Sequence, residues 1–390
     1  MRRNVPRLYF FSFFTMFFIS LPVWVPYFQA KGFTMQDVFT VQAIFALAVA
    51  LFEIPSGYFC DLFGRRKTLI FGGLCYGVAF TWLAFADTFF EVVLFELGAA
   101  LAFGLISGAD VALLYESLDE DVSREEKAKS LGNMQFAQLI SEASGAILGG
   151  VLAATSLALP FQVQAAVAWF PLVIALTLVE GRHQKLAGNH RENFGLVFRH
   201  LWSHSPEMRR SSVNLLVWGL STFLAVWMLQ KYWETSAVPV AWFGALWAIG
   251  NLLAAFTSKL AAPIGQRWGR PLMMVVACAL PVVGYFGMGL TASMLGVVLG
   301  FGLYLGRGFI QVVMREEFNH HLPNEFRATA NSVQSFMFRI VFFVLGPLMG
   351  MGVDRYGVQA IMLTVGVIFL ALYLILILGP LHKRGGRVVS

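Results

Sequence analysis

A chain of 390 residues is long enough for two or three water-soluble domains, but 58% hydrophobic residues, 13% charged residues and a mean hydropathy of +0.69 exclude that class. The net charge of +6 lies in connections between apolar runs, which argues against a nucleic-acid face and for a polytopic membrane protein whose cations set its orientation. Cys60, Cys75 and Cys278 are scattered in or beside apolar segments without CxxC or metal-ligand spacing, so neither a disulfide nor a metal is implied.

The chain opens with MRRNVPRLYFFSFF, cations followed by an apolar run, and no small-x-small cleavage site precedes Pro26 and Tyr27. We read it as an uncleaved first span. Windows of about 20 apolar residues, enough to cross the hydrocarbon core as helix, fall at 8–29, 38–59, 68–86, 90–115, 130–154 and 159–180. After a long polar segment they resume at 214–234, 240–263, 271–290, 293–313, 329–352 and 358–380. The expected fold is therefore an all-α integral membrane protein of 12 transmembrane helices in two pseudo-symmetric six-helix bundles.

Nearly all Lys and Arg residues of the connections fall on one side, with only Lys31, Lys231 and Arg355 near the other, so both termini are expected in the cytoplasm. The domain expectation is an N-terminal bundle over 1–181, a cytoplasmic linker over 182–213 and a C-terminal bundle over 214–390. Within the linker, Phe194, Val197, Phe198, Leu201 and Trp202 recur at helical spacing and suggest a short amphipathic helix on the inner membrane surface.

The halves echo one another. GYFCDLFGRR after span 2 is answered by APIGQRWGR after span 8, where Gly64-Arg65 matches Gly269-Arg270 and Gln266 stands in the place of Asp61. Gly145-x-x-x-Gly149 is answered by Gly346-x-x-x-Gly350. Parallel six-helix repeats are a transporter architecture.

On these residues the chain resembles the major facilitator superfamily of secondary transporters over its whole length. Gly57, Asp61, Gly64, Arg65 and Arg66 match the family signature between helices 2 and 3. The resemblance implies a cytoplasmic gate in which Asp61 faces the end of helix 11, while Arg65 and Arg66 meet acids such as Glu116 or Asp119, or lipid headgroups. The antiporter motif of helix 5 is matched at Gly132, Gly145, Gly149 and Gly150, but Ser141 replaces a glycine and Ala146 a proline. The arginine that many drug exporters carry in helix 4 is replaced by Glu96, and the signatures of sugar and peptide porters are missing.

An ionisable group inside a span costs about 2.5–3.5 kcal/mol on insertion scales, so each is a functional candidate. Asp110, Glu142, Glu96 and Glu53 in the first half are the proton-coupling candidates; Lys259, Arg307 and Arg339 lie in the second half. Helices 1, 4, 7 and 10 line the cavity of the family fold, which implies substrate-binding candidates Arg307, Gln311, Tyr304, Trp24, Tyr27 and Trp218; Gln138, on a cavity-side stripe of span 5, and the cation Arg339 of span 11 join them. The same fold suggests ion pairs between bundles, Glu142 with Lys259 and Glu53 with Arg339.

The expected function is a secondary active transporter of a small organic solute in the cytoplasmic (inner) membrane, proton-coupled, with export of amphipathic compounds slightly favoured. Import of an organic anion, lipid transport and a non-transporting receptor are the alternatives. All seven histidines fall in predicted cytoplasmic segments and no GxxxxGK[ST] loop occurs, so an enzyme or ATP-driven pump is not expected. The expected partners are a small-molecule substrate, protons and membrane lipids, with no nucleic acid and no cofactor, and the chain is expected to be a monomer.

Overall fold

The computed structural model describes residues 2–118, 122–180, 206–320, 322 and 327–379, and among them every regular element is helical. Among the described residues, ten helices are long and apolar enough to cross a membrane by length and composition. The other two predicted spans correspond to a first helix that is interrupted and to a third that opens on Arg65-Arg66-Lys67.

One compact unit comprises Met1–Gly188 with Val240–Ala248. It contains α1 (Asn4–Thr15), α2 (Trp24–Ala30), α3 (Met35–Phe63), α4 (Arg65–Leu83), α5 (Phe89–Ile106), α6 (Ala109–Ser117), α7 (Arg124–Ala153), α8 (Leu159–Val167) and α9 (Phe170–Thr177). Here α5 packs along α3 and α4, while α1 packs against α7 and α9. The other unit comprises Asn189–Pro239 and Ile249–Ser390. It holds α10 (Pro206–Phe223), α11 (Ala225–Thr235), the body of α12 (Phe243–Trp268), α13 (Arg270–Leu290), α14 (Met294–His320), α15 (Arg327–Tyr356), α16 (Val358–Leu372) and a π-helical turn (Tyr373–Leu378). Within it α13 lies along α14 and α16, and α10 against α14.

Local chemistry sets several ends. Thr34 with Asp37 and Thr88 with Glu91 form capping boxes that start α3 and α5, each satisfying orphan amides at both partners. Gly64 and Gly269 join α3 to α4 and α12 to α13 in one conformation, φ/ψ 89°/161° and 80°/151°, a region essentially reserved for glycine. The repeat seen in the letters is thus also a repeat of backbone geometry.

Helix ends differ from the hydropathy windows, because hydropathy reports the membrane and not the helix. The windows at 130 and 214 begin inside helices that start at Arg124 and Pro206, and the window ending at 313 lies in a helix that runs to His320. Polar first and last turns carry these helices beyond the apolar layer. The residues proposed as an amphipathic linker helix, Phe194 to Trp202, lie outside the described residues.

Candidate functional site

The first span is two half-helices. Between α1 and α2 the chain leaves the helix at Met16–Ser20, and side chains from three other helices take up backbone groups that the break releases. Ser141 Oγ of α7 donates to the Phe13 carbonyl, Tyr76 Oη of α4 donates to Thr15 O at 3.1 Å, and Ile19 N donates to Gln164 Oε1 of α8 at 2.7 Å. Gly145 and Gly149 make room for the turn: a methyl at Gly145 would come within 3.1 Å of Phe18 N, and one at Gly149 would overlap the Ile19 carbonyl. Non-helical backbone survives at membrane depth only when its polar groups are satisfied in this way. Ser141, a departure from the glycine motif, therefore has a partner that glycine could not serve.

The fourth span is also broken. Ser107 (ψ 122°) and Gly108 (φ 83°) separate α5 from α6, and the Asp110 carboxylate folds back on the new helix start, accepting from Val111 N at 2.7 Å. A carboxylate at a helix N-terminus is favoured by the exposed amides and the helix dipole. Glu96 lies buried in α5, where Gln42 Nε2 of α3 donates to its Oε1 at 2.6 Å. Glu53 is exposed, and Gln138 and Glu142 are half-buried on α7.

Trp24 and Tyr27 belong to an aromatic cluster within the first unit. Tyr27 stacks on Phe161 with centroids 3.7 Å apart, and Trp24 packs on Phe28, Phe95 and Phe161. In the second unit Trp218 is enclosed by Phe369 and Tyr373. These contacts give all three rings a packing role.

Arg307, half-buried in the middle of α14, has Asn251 Oδ1 of α12 at 3.4 Å from Nη1. Among the described residues of its unit, no carboxylate lies within 4.0 Å of it. Tyr304 is buried one turn earlier with its ring against Gly250, Gln311 is exposed, Arg339 is half-buried on α15 and Lys259 is exposed on α12. Glu142 and Lys259 fall in different units, as do Glu53 and Arg339.

At the basic end, Arg65 Nε of the GYFCDLFGRR segment meets Glu116 at 2.5 Å, while Asp119 lies outside the described residues. Burial alone would lower the Arg65 guanidinium; the adjoining Glu116 carboxylate outweighs it and holds the group above its ordinary value. Arg66 donates its backbone amide to Glu180 Oε1 at 3.1 Å and its guanidinium to Leu176 O at 3.0 Å. The side chain of Asp61 and the surroundings of Gly57 lie outside the described residues. In the other half Arg270 meets Glu316 at 2.7 Å. Glu180 and Glu316 were not found from the sequence; extending the match of Gly64-Arg65 and Gly269-Arg270 to their partners would have sought an acid near the end of span 10 to answer Glu116.

At the opposite end of the first unit, Lys31 Nζ lies 2.8 Å from Asp87 Oδ1, donates to Ala86 O at 2.6 Å and sits 4.5 Å over the Tyr27 ring. Burial tends to lower this ammonium, but Asp87 and Tyr27 together raise it above its ordinary value.

A family model described as Major Facilitator Superfamily matches residues 8–343. An uncharacterized MFS-type transporter YxaM of Bacillus subtilis (strain 168) is 20% identical over 373 residues, covering 90% of this chain and 89% of that protein. A crystal structure of a mutant of the nucleoside transporter NupG superposes with a TM-score of 0.78 at 14% identity, covering 96% of this chain and 98% of the other. A mutant of the peptide transporter POT (TM-score 0.76, 16% identity, 99% and 95% covered) and a D-xylose-proton symporter (0.75, 11%, 96% and 97%) share the fold.

Proposed function

The chain belongs to the major facilitator superfamily, and from that premise we propose that it is a proton-coupled carrier of a small organic solute bearing an anionic group, working by alternating access. It is a multi-pass membrane transporter and not an enzyme. The observation that carries the finer reading is Arg307, a mid-span guanidinium whose described side-chain partner is a neutral amide. A cation in a span is retained at a cost, and one not neutralised within its own unit suits a substrate that neutralises it.

This favours the organic-anion alternative over export of amphipathic compounds. The burial of Trp24, Tyr27 and Trp218 among other rings supports the same choice, because it leaves fewer of the candidate aromatics to stack on a greasy solute. Proton coupling is assigned to Asp110 first, on a half-helix start inside the span, with Glu142 and Glu96 after it. A D-xylose-proton symporter among the structures of like fold is consistent with such coupling. The same reading takes the protein as a monomer in the cytoplasmic membrane, and the asymmetry of Lys and Arg favours both termini inside.

Reconstitution under an imposed pH gradient, with a pH dye trapped inside the vesicles, tests the proposal. Adding a transported carboxylate should move protons in the wild type, and Asp110→Asn should uncouple solute movement from the gradient. Arg307→Gln should reduce uptake about 10- to 150-fold, the loss of a charge-assisted hydrogen bond of about 1.5–3 kcal/mol. Wild-type uptake by Arg307→Gln overturns the anion reading.

A further inference from the structure

We propose that Asn251 sets the charge preference of the substrate site by holding Arg307 with an uncharged oxygen. The inference rests on the reading that Arg307 receives the anionic group. Its basis is the way α12 and α14 are locked in register around this one pair.

The two helices touch through backbone on both sides of Arg307. At Gly250 a methyl would come within 2.6 Å of the Tyr304 ring, so that ring rests on the α12 backbone one turn before Arg307. At Gly308 a methyl would overlap the Ala254 carbonyl and Thr257 Oγ1, so α14 lies against α12 immediately after Arg307. Ser258 Oγ then donates to Gly308 O at 3.0 Å and pins the crossing. Contacts through glycine admit little sliding, because small residues bring backbones together and any added atom meets main chain. Residue 251 is therefore the α12 side chain delivered to the guanidinium.

What it delivers decides how much positive charge is left. The Asn251 Oδ1 to Arg307 Nη1 separation of 3.4 Å is long for an N–H to oxygen bond, so the amide orients the group without engaging it strongly. A guanidinium carries five N–H donors in a planar fork, and a single amide oxygen leaves the edge that matches the two oxygens of a carboxylate. Two other cations of this unit are handled differently: Arg270 meets Glu316 at 2.7 Å and Glu317 at 3.8 Å, and Lys231 meets Glu234 at 3.1 Å. At position 251 an aspartate would place a carboxylate where the amide now is, and Arg307 would already be neutralised before a substrate arrived. Asn251 thus selects for a carboxylate-bearing solute, and an acid there selects against it.

The test uses the full chain in detergent, with thermal unfolding followed by intrinsic tryptophan fluorescence. The probes are benzoate, phenylacetate, succinate and glutamate, each against its neutral amide. Wild type should be stabilised by at least one carboxylate and not by the matching amide. Arg307→Gln and Asn251→Asp should both abolish that stabilisation. Asn251→Ala should weaken the apparent affinity about two- to tenfold, the loss of one long and therefore weak hydrogen bond. Asn251→Ser, which keeps an uncharged oxygen, should respond more strongly than Asn251→Ala. A response lost in Arg307→Gln but retained in Asn251→Asp overturns the inference while leaving Arg307 as the anion site. A response retained in Arg307→Gln, or no response of the wild type to any of the four carboxylates, overturns the anion reading and the inference with it. If Asn251→Asp does not fold, the Ser and Ala variants decide: an Ala response equal to wild type sinks the role of Asn251.

Discussion

Gly64 and Gly269 share a backbone conformation, yet an added methyl meets different surroundings at the two. At Gly64 it would lie 2.8 Å from Glu180 Oε1, the carboxylate that receives the Arg66 amide at the start of α4, whereas at Gly269 the nearest atom is Pro271 Cδ at 3.8 Å. Both alanine variants carry backbone strain of about 1–3 kcal/mol. Gly64→Ala also displaces a capping acid, a further loss of about 0.5–2 kcal/mol. The thermal midpoint should therefore fall more for Gly64→Ala than for Gly269→Ala, and equal falls would remove Glu180 from the account. Lys31 makes a separate prediction with a defined sign. Its ammonium is raised in the folded state, so its stabilisation is complete below the ordinary lysine value of about 10.4 and disappears as the pH rises through the higher folded value. The stability difference between wild type and Lys31→Met should be constant from pH 6 to 9 and shrink only in stronger alkali.

Helices were legible in the sequence wherever apolar length announced them, and their breaks were not. Phe17-Phe18-Ile19-Ser20 is as apolar as its flanks, and what ends α1 there is supplied by Ser141, Tyr76 and Gln164, residues 61 to 145 positions away. Gly108 looks no more breakable than Gly98 or Gly104 in the same span; its positive φ goes with Asp110 capping the helix that follows. The glycines of α7 were visible as a motif, but the sequence did not say which of them carries a contact. Gly132 has nothing within 4 Å of an added methyl, whereas Gly149 abuts the Ile19 carbonyl. Gly132→Ala should accordingly be neutral or stabilising by up to about 1 kcal/mol through helix propensity. Gly149→Ala should cost about 1–3 kcal/mol by overpacking against main chain. Comparing the thermal midpoints of the two variants checks this, and a tolerated Gly149→Ala would mean that the turn at Met16–Ser20 yields easily.

For the molecule as a whole, the internal repeat was half legible. Gly64-Arg65 and Gly269-Arg270 stand out as letters and Glu116 was an expected partner of the first pair, but Glu316 was not expected for Arg270, because it stands 46 positions away at the end of α14. Asn251 was invisible for a related reason: a lone amide in an apolar run acquires meaning only when a second helix brings Arg307 to it. One long-range contact bears on how the first unit is made. Asn4 Nδ2 donates to Val179 O at 2.8 Å and Asn4 Oδ1 accepts from Val179 N at 3.0 Å, two reciprocal bonds spanning 175 positions. During synthesis at roughly 5–20 residues per second, Asn4 waits on the order of 9–35 s for that partner. Until then the earlier helices lack the bonds that tie the start of α1 to the segment after α9. The Asn4–Val179 bonds thus cannot form before Val179 is made, and a chain halted before that residue leaves Asn4 without this partner.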